Sequence, residues 1–159
     1  ASQLPLPTTT APARRRRRAP APPTAAPRPP PRALAAILRS RVIACLRAQD
    51  GETALQAAHA AVRGGVTVLE VVMTTPGVLE VIEDLCRSYP SLTFGVGTVL
   101  NAADARKAIG AGAQFLMSPA TVLDILHDLK ESNVLYIPGV LTPTEVLSAC
   151  SAGAKVVKV

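Results

Sequence analysis

Short apolar runs alternate with helix-like segments through residues 33–159, with about 20–25 residues from one run to the next. The runs show no alternation of apolar and polar positions, which indicates strands buried on both faces, as in a parallel sheet covered by helices. This regular succession is typical of consecutive βα units. The predicted strands are residues 42–46, 66–73, 93–96, 114–117, 134–137 and 156–159.

The segments between these strands carry start and stop signals for five helices, and residues 33–40 are predicted to form a short helix before the first strand. Polar N-caps begin most of the helices, and glycines end the first and the third. The predicted caps and bounds are Asp50 to Gly64-Gly65, Thr75-Pro76, Asn101 to Gly110, residues 121–130, and Thr142-Pro143 with a capping box to Glu145.

Six strands and five intervening helices suit either an open doubly wound sheet or most of a (β/α)8 barrel. The run Gly95-Val96-Gly97 lacks the third glycine and the downstream acidic residue of a dinucleotide-binding fingerprint, so the barrel is favoured. The predicted fold class is therefore α/β, an incomplete (β/α)8 TIM barrel. Because six strands do not close such a barrel and the chain does not begin with Met, we expect a truncated chain that is inactive alone.

Composition divides the chain near residue 33. Ten of the 15 prolines lie in residues 1–32, and residues 1–49 contain ten arginines and no acidic residue, whereas the rest carries a formal charge of −4. The high isoelectric point of the chain thus comes from the arginines of the N-terminal tail. We expect residues 1–32 to be disordered, because they have too little apolar surface to offset the entropy of ordering, and residues 33–159 to form the partial barrel.

The tail combines arginines and hydroxyl side chains with an absence of acids, which is typical of an organellar transit peptide. The chloroplast stroma is the predicted location, with the mitochondrion as the alternative. Five adjacent arginines at residues 14–18 could instead bind RNA or another acidic partner, but no aromatic side chains accompany them for base stacking, so nucleic acid is the less favoured partner. No run of 18 apolar residues occurs, and no membrane span is expected.

Cys45, Cys86 and Cys150 are odd in number, widely spaced and set among apolar residues, which favours buried reduced thiols over disulfides or a zinc site. His59 and His127 stand alone on predicted helices, without partners at ligand spacing, so surface or packing roles are expected for both. No metal ion is predicted.

Polar residues occur at the carboxyl ends of the predicted strands, which converge on one mouth in a barrel. Glu70 interrupts an apolar strand, where an ionised carboxylate is costly unless a cation or hydrogen bonds satisfy it. Lys158 lies in an equally apolar run, where burial would favour the neutral amine that attacks a ketone. Either residue alone would be read as structural, but together at one mouth they suit a nucleophile and a general acid/base. The full set is Arg47, Glu70, Thr98, Ser118 and Lys158.

Several motifs follow one another in a fixed order along the chain. They are Gly64-Gly65 before Leu69-Glu70-Val71, Gly95-Val96-Gly97-Thr98, Gly112-Ala113-Gln114-Phe115 leading to Ser118-Pro119, Ile137-Pro138-Gly139 with Thr142-Pro143-Thr144-Glu145, and Gly153-Ala154-Lys155-Val156-Val157-Lys158. Over about residues 37–159 the chain thereby resembles a plant-type member of the 2-keto-3-deoxy-6-phosphogluconate and 4-hydroxy-2-oxoglutarate aldolases, truncated at its C-terminal side.

The resemblance implies a role for each matching position. Lys158 is similar to the Schiff-base lysine of the family, Glu70 to its catalytic glutamate, and Thr98 to the residue that contacts bound pyruvate. Further substrate contacts are implied at the motif positions Ser118, Pro119 and Pro138.

One position departs from the commonest form of the family. An arginine usually follows the glutamate-bearing strand, and this sequence has Thr74 there. Another branch is similar to this chain in having an arginine at the end of the first strand, where Arg47 stands. A guanidinium fork suits a substrate carboxylate or phosphate, and the alternative is that Arg47 is a solvated surface charge.

The resemblance implies a class I aldolase that cleaves a 2-keto-4-hydroxy acid into pyruvate and an aldehyde through a lysine Schiff base. It implies no cofactor, and a homotrimer for the full-length protein. Phosphorylated and unphosphorylated substrates both remain open. Two alternative functions compete with this one. The first is another phosphate-binding barrel enzyme, similar to thiamin-phosphate synthase or an isomerase, in which Lys158 forms no covalent bond. The second is a non-catalytic paralogue that binds RNA through residues 14–18.

Overall fold

The computed structural model describes residues 31–159. The disorder, targeting and RNA binding expected for residues 1–30 lie outside the described residues. The predicted tail also includes Pro31 and Arg32, but the first helix begins at Arg32 and has Pro31 as its N-cap. Both residues therefore belong to the folded part.

Helices and strands alternate through the described residues, as the sequence predicts. The helices are α1 (Arg32–Ser40), α2 (Gly51–Arg63), α3 (Val78–Ser88), α4 (Ala102–Gly110), α5 (Leu123–Asp128) and α6 (Pro143–Ser151). The strands are β1 (Ala44–Leu46), β2 (Val68–Val72), β3 (Thr93–Gly97), β4 (Phe115–Met117) and β5 (Leu135–Ile137).

All five strands are parallel and pair in chain order, β1-β2-β3-β4-β5. Each helix from α2 to α5 returns the chain to the start of the neighbouring strand, which is the βα repeat of a barrel wall. Every residue of β2 to β5 is buried, which confirms the prediction of strands covered on both faces. Strand β1 is only half-buried because it forms an edge of the sheet.

The prediction of a sixth strand at residues 156–159 is wrong. This segment makes a single parallel bridge between Lys158 and Gly139. The Lys158 N–H donates to the carbonyl of Pro138 (2.9 Å), and the Val140 N–H donates to the carbonyl of Lys158 (2.8 Å). The pairing does not extend into β5 because Pro138, the residue between them, has no N–H to donate.

Most predicted helix caps are confirmed. The side chains of Asp50, Asn101 and Thr142 accept hydrogen bonds at the starts of α2, α4 and α6, and Thr142 forms the capping box with Glu145. The prediction that Thr75 caps α3 is wrong, because that helix begins at Val78 after Gly77. The Thr75 side chain is instead buried and accepts a long hydrogen bond (3.5 Å) from the N–H of Ala48, which ties the loop after β1 to the loop after β2.

Two apolar clusters lie on opposite faces of the sheet. The larger fills the space between the outer face and helices α2 to α5, and its strand residues include Leu69, Val71, Phe94, Val96, Leu116 and Tyr136. The smaller occupies the inner face and contains Val68, Phe115, Met117, Leu135 and Ile137, with Ala33 of α1 packed on it. Successive residues of a strand point to opposite faces, so the division also assigns every other strand residue to the inner or the outer face.

Helix α1 covers part of the inner face. Its apolar side comprises Ala33, Leu34 and Ile37, which have the helical spacing that aligns them on one surface, and all three pack against the inner cluster. The C-cap of the helix is Arg41, whose backbone is left-handed (φ 60°) and whose N–H donates to the carbonyl of Ile37 (2.7 Å). Among residues 31–159, no helix has the length and apolar character needed to cross a membrane.

Candidate active site

Register places Glu70 between Cys45 and Gly95 on the inner face. Cys45 of β1 aligns with Glu70 of β2, and Glu70 aligns with Gly95 of β3. Residues aligned in this way point to the same face of a parallel sheet. Glu70 therefore belongs to the inner face, two residues beyond Val68 of the inner apolar cluster.

Glu70 is a buried carboxylate, with 5 % of its surface exposed. Burial raises the pKa of the Glu70 carboxyl above its ordinary value, because the surrounding apolar strands solvate the charged form poorly. The charge of Lys158 and a hydrogen bond from the Cys45 thiol both lower this pKa, but their effect is smaller than that of burial. A raised carboxyl pKa of this kind is common among groups that transfer protons in active sites.

The effect of Lys158 on two groups of the inner face indicates that the sheet is curved. Neighbouring strands are about 4.8 Å apart, so a residue beside β5 in a flat sheet would lie about 20 Å from Glu70 on β2. The charge of Lys158 nevertheless lowers the pKa of both Glu70 and Cys45. The wall therefore curls until the two sides of the inner face approach each other, as in a barrel.

Lys158 is exposed in the structure, although its apolar run taken alone favours burial. Its backbone is held by one bridge, without a longer ladder that would enclose the side chain. The adjacent Val156 is half-buried against the inner cluster, which places the inner side of this segment next to the same face as Glu70. The structure thus brings Lys158 to the inner face but leaves its amine accessible.

The cysteines are free, as expected, but they are not buried as the sequence predicts. Cys45 and Cys150 are exposed and Cys86 is intermediate. Partial burial and then the Glu70 carboxylate raise the pKa of the Cys45 thiol, so this thiol stays protonated and can donate to Glu70. Cys45 is exposed because it lies on the inner side of an edge strand.

The two histidines have the surface and packing roles expected of them. His127 is exposed, and His59 packs against Tyr89 with its Nδ1 2.9 Å from the tyrosine hydroxyl.

Arg47 and Thr98 follow β1 and β3, the two strands on either side of the strand that carries Glu70. Arg47 is exposed just after β1, and its charge lowers the pKa of the Cys45 thiol, so it lies near the same group of residues. Thr98 follows β3 with φ of 55°, a left-handed conformation that is rare for a β-branched residue and costs on the order of 1–3 kcal/mol. Thr74, which stands where the resemblance implies an arginine, is exposed after β2.

The side chain of Ser118 points away from the inner face, contrary to its prediction as a substrate contact. It is fully buried, and its hydroxyl donates to the carbonyl of Val99 while it accepts a hydrogen bond from the hydroxyl of Tyr136 (2.8 Å). The same Tyr136 oxygen accepts from the N–H of Val122 (3.2 Å). These bonds connect the loops after β3 and β4 with the start of α5, and they hold the residue next to the strained Thr98.

The two predicted prolines lie on either side of a close backbone contact. Pro119 is exposed after β4, and Pro138 is buried after β5. A Cβ at Gly139 would come within 2.2 Å of the Pro119 carbonyl group, so only glycine allows this approach. The hydroxyl of Thr121 donates to the carbonyl of Gly139 (3.0 Å) and fixes the two loops together.

Sequence reasoning missed three residues of this region. The strand register would have placed Cys45 beside Glu70, and a glycine within a strand indicates close approach of another group, which applies to Gly97. The role of Tyr136 in bonding Ser118 had no local signal. Within residues 31–159, no three His, Cys, Asp or Glu side chains lie close enough to hold a metal ion. A cavity of about 550 Å³ lies elsewhere, between the start of β5 and residues 152–155.

The fold and the site together define a βα-barrel protein whose curved inner face carries a buried glutamate within electrostatic range of a lysine. The family model described as "Aldolase: KDPG and KHG aldolase" matches residues 34–159. The chain belongs to this family, which confirms the resemblance seen in its motifs.

Curated relatives agree with this assignment. The chain is 33% identical over 123 residues, 77% of its length, to the 2-dehydro-3-deoxy-phosphogluconate aldolase of Treponema pallidum. It is 36% identical over 104 residues, 65% of its length, to the KHG/KDPG aldolase of Escherichia coli K12. The matches cover 59% and 49% of those relatives, so the chain spans about half the length of the curated relatives it matches.

Solved structures show the same fold. The KDPG aldolase of Legionella pneumophila, with pyruvate captured at low pH as a covalent carbinolamine intermediate, superposes with a TM-score of 0.70 and 31% identity over 77% of this chain and 59% of that one. The 3-keto-L-gulonate-6-phosphate decarboxylase of Vibrio cholerae superposes with a TM-score of 0.60 over 73% of this chain and 60% of that one, but at 18% identity it shows the fold alone.

Proposed function

We propose that the protein carrying this chain is a class I aldolase that cleaves a 2-keto-4-hydroxy acid, such as 2-keto-3-deoxy-6-phosphogluconate or 4-hydroxy-2-oxoglutarate, into pyruvate and an aldehyde. The observation that carries the proposal is the placement of Lys158 and Glu70 on one inner face, close enough for the lysine charge to lower the pKa of the carboxyl. Membership of the KDPG and KHG aldolase family and the carbinolamine of the Legionella relative support this chemistry.

Lys158 is the nucleophile in this proposal. Its neutral amine adds to the C2 carbonyl of the substrate to give a carbinolamine, and loss of water then gives an iminium ion. The exposure of Lys158 leaves the amine accessible to a substrate entering the open inner face. The iminium draws electron density from C3, so the C3–C4 bond can break without a metal ion.

Glu70 moves the protons. Its carboxylate accepts the proton of the C4 hydroxyl as that oxygen becomes the aldehyde carbonyl, and the C3–C4 electron pair passes into the iminium to form an enamine. The same group returns a proton when the enamine is protonated and the imine is hydrolysed to pyruvate. The pKa raised by burial makes the carboxylate a better proton acceptor than an exposed glutamate.

Arg47 and Thr98 bind the pyruvate end of the substrate. Arg47 is exposed beside Cys45 and offers a guanidinium fork to a carboxylate, while Thr74 offers no charge at the position the family commonly uses. Thr98 directly follows β3 and has a left-handed backbone, and in this proposal it contacts the substrate from the end of that strand. Ser118 acts in this proposal through its backbone and through the loop it fixes, since its hydroxyl is already bonded.

Borohydride trapping tests the lysine assignment. Full-length protein incubated with pyruvate and borohydride should gain a stable reduced adduct that peptide mass spectrometry locates on Lys158. Lys158→Ala should abolish the adduct and the cleavage activity. Lys155→Ala is the matched control, because Lys155 is an exposed lysine three residues earlier in the chain, and this variant should trap pyruvate as the wild type does. An undiminished adduct in Lys158→Ala would refute the mechanism.

We also propose a plastid location and a homotrimeric assembly for the full-length protein. The arginine-rich, acid-free composition of the tail supports the first. A chain of a protein cage designed by fusing symmetric oligomeric domains, 25% identical with a TM-score of 0.68 over 74% of this chain and 44% of that one, supports a symmetric oligomer. Sedimentation equilibrium of the full-length protein would measure the subunit number.

A further inference from the structure

We propose that Gly97 is a positioning residue for the Glu70 carboxylate, because the space left by its missing side chain is the space that the carboxylate occupies. This inference deepens the proposed function, since it rests on Glu70 as the group that exchanges protons. It concerns a residue that contacts Glu70 and does not itself take part in the chemistry.

The geometry at Gly97 leaves no room for a side chain. A Cβ built on this residue would lie 1.3 Å from Oε1 of Glu70, 2.3 Å from its Cδ and 2.9 Å from its Cγ. Three consecutive atoms of the glutamate would thus be closer than any non-bonded contact allows. Gly97 ends β3 on the inner face, two residues after Gly95, which aligns with Glu70. The glutamate therefore leans from its own strand over the end of the neighbouring one.

Backbone conformation does not require glycine at this position. Gly97 pairs with Val72 in regular parallel register, its carbonyl accepts a hydrogen bond from the N–H of Met73 (2.8 Å), and its φ is not positive. The glycines of this chain with left-handed backbone are Gly65, Gly77, Gly112 and Gly153, among the described residues. An alanine at 97 would fit the backbone and would conflict only with Glu70.

The second glycine of the same strand has a different neighbour. A Cβ at Gly95 would lie 2.6 Å from three ring carbons of Phe115, so its space is filled by the inner apolar cluster. Only the space at Gly97 is filled by a carboxylate. The two inner-face glycines of β3 thus make room for different side chains: Gly95 for the ring of Phe115, and Gly97 for the carboxylate of Glu70.

The opposite side of Glu70 is bounded by Cys45. Cys45 lies on the neighbouring edge strand in register with Glu70, and its thiol lowers the pKa of the carboxyl. With an alanine at 97, the carboxylate would have to turn toward β1 or outward into solvent. Either movement changes its distance from Lys158 and from a substrate bound there.

The titration of Glu70 tests the proposal without relying on catalysis. NMR of full-length protein with 13C-labelled glutamate carboxyls, assigned with Glu70→Gln, would follow the pKa of Glu70 in the wild type and in Gly97→Ala. Burial is the largest cause of the raised pKa, so release of the carboxylate toward solvent should lower its titration midpoint toward that of an exposed glutamate. Gly110→Ala is the control, because a Cβ there meets nothing within 4 Å, and its midpoint should not move. An unchanged midpoint in Gly97→Ala overturns the proposal.

Activity gives a second readout. Gly97→Ala should lower kcat by a factor on the order of 10²–10⁴, the usual worth of a general acid/base, with a much smaller change in KM. If wild-type protein neither traps pyruvate nor cleaves substrate, the proposed function fails while the titration still decides the role of Gly97. If the substitution prevents folding, Gly97→Ala/Glu70→Ala should fold again because the conflicting carboxylate is gone, and a double variant that remains unfolded overturns the proposal.

Discussion

Replacement of Tyr136 by phenylalanine isolates the hydroxyl that connects three segments beneath the site. The ring would keep its packing in the outer cluster, where Tyr136 is 5 % exposed, and only the oxygen would be lost. That oxygen donates to Ser118 (2.8 Å) and accepts from the N–H of Val122 (3.2 Å). Ser118 is fully buried, so its oxygen would lose a donor that water cannot easily replace. The expected cost is about 1–2 kcal/mol, the worth of one to two hydrogen bonds.

Chemical and thermal unfolding of the 159-residue chain, followed by circular dichroism, would measure this cost. For a chain of this size, 1–2 kcal/mol corresponds to a fall in Tm of about 3–8 °C. Ser118→Ala and the double variant complete a cycle, and the two substitutions should be less than additive because they remove one shared bond. Unfolding free energies of Tyr136→Phe and wild type that agree within about 0.3 kcal/mol would refute the reasoning, since additivity errors are of that size.

Three further predictions concern Glu70 and the tail. Burial raises the pKa of Glu70 in the folded state, so the wild type loses stability as the pH rises from the ordinary glutamate pKa through the folded one. Glu70→Gln should therefore have a higher Tm than the wild type at neutral pH, and the difference should disappear in acid. A difference in Tm that grows in acid would contradict this sign. The same substitution in full-length protein should slow turnover by about 10²–10⁴ while pyruvate binding stays measurable, and an unchanged rate would make Glu70 a structural residue. A fluorescent protein fused behind residues 1–49 should enter plastids and lose the tail, whereas cytosolic or nuclear fluorescence would contradict a transit function.

The regular part of the fold was accessible from the sequence because its signals are local. The βα rhythm, and the caps at Asp50, Asn101 and Thr142, depend on residues within one or two turns. Thr75 misleads for the opposite reason, since its hydroxyl bonds a residue 27 positions earlier in the chain. Tertiary contact there overrides the local capping preference.

The candidate site could be predicted from the sequence only in part. A charge in an apolar strand drew attention to Glu70 and Lys158, and the structure brings both to one face. The orientation of Ser118 depends on the alternation of faces at the end of β4. A shift of one residue there changes whether the side chain points to the mouth of the barrel or to the core. Cys45 is identified as a neighbour of Glu70 only when the register between strands is known, and the glycine signal at residue 97 does not by itself show which group approaches it.

The pairing order of the strands has a consequence for how the chain folds. Aligned residues on neighbouring strands are 20 or 25 positions apart, as in Ala44 with Leu69 and Phe115 with Leu135. No strand of the described sheet has to wait for a distant part of the chain, so each βα unit can add to the wall as soon as it leaves the ribosome. Loop closure over such short separations carries a small and nearly constant entropy cost. The wall is thus suited to growth from its N-terminal edge during synthesis, with the Lys158 segment joining only after β2, which carries Glu70, and β3, which precedes Thr98, are in place.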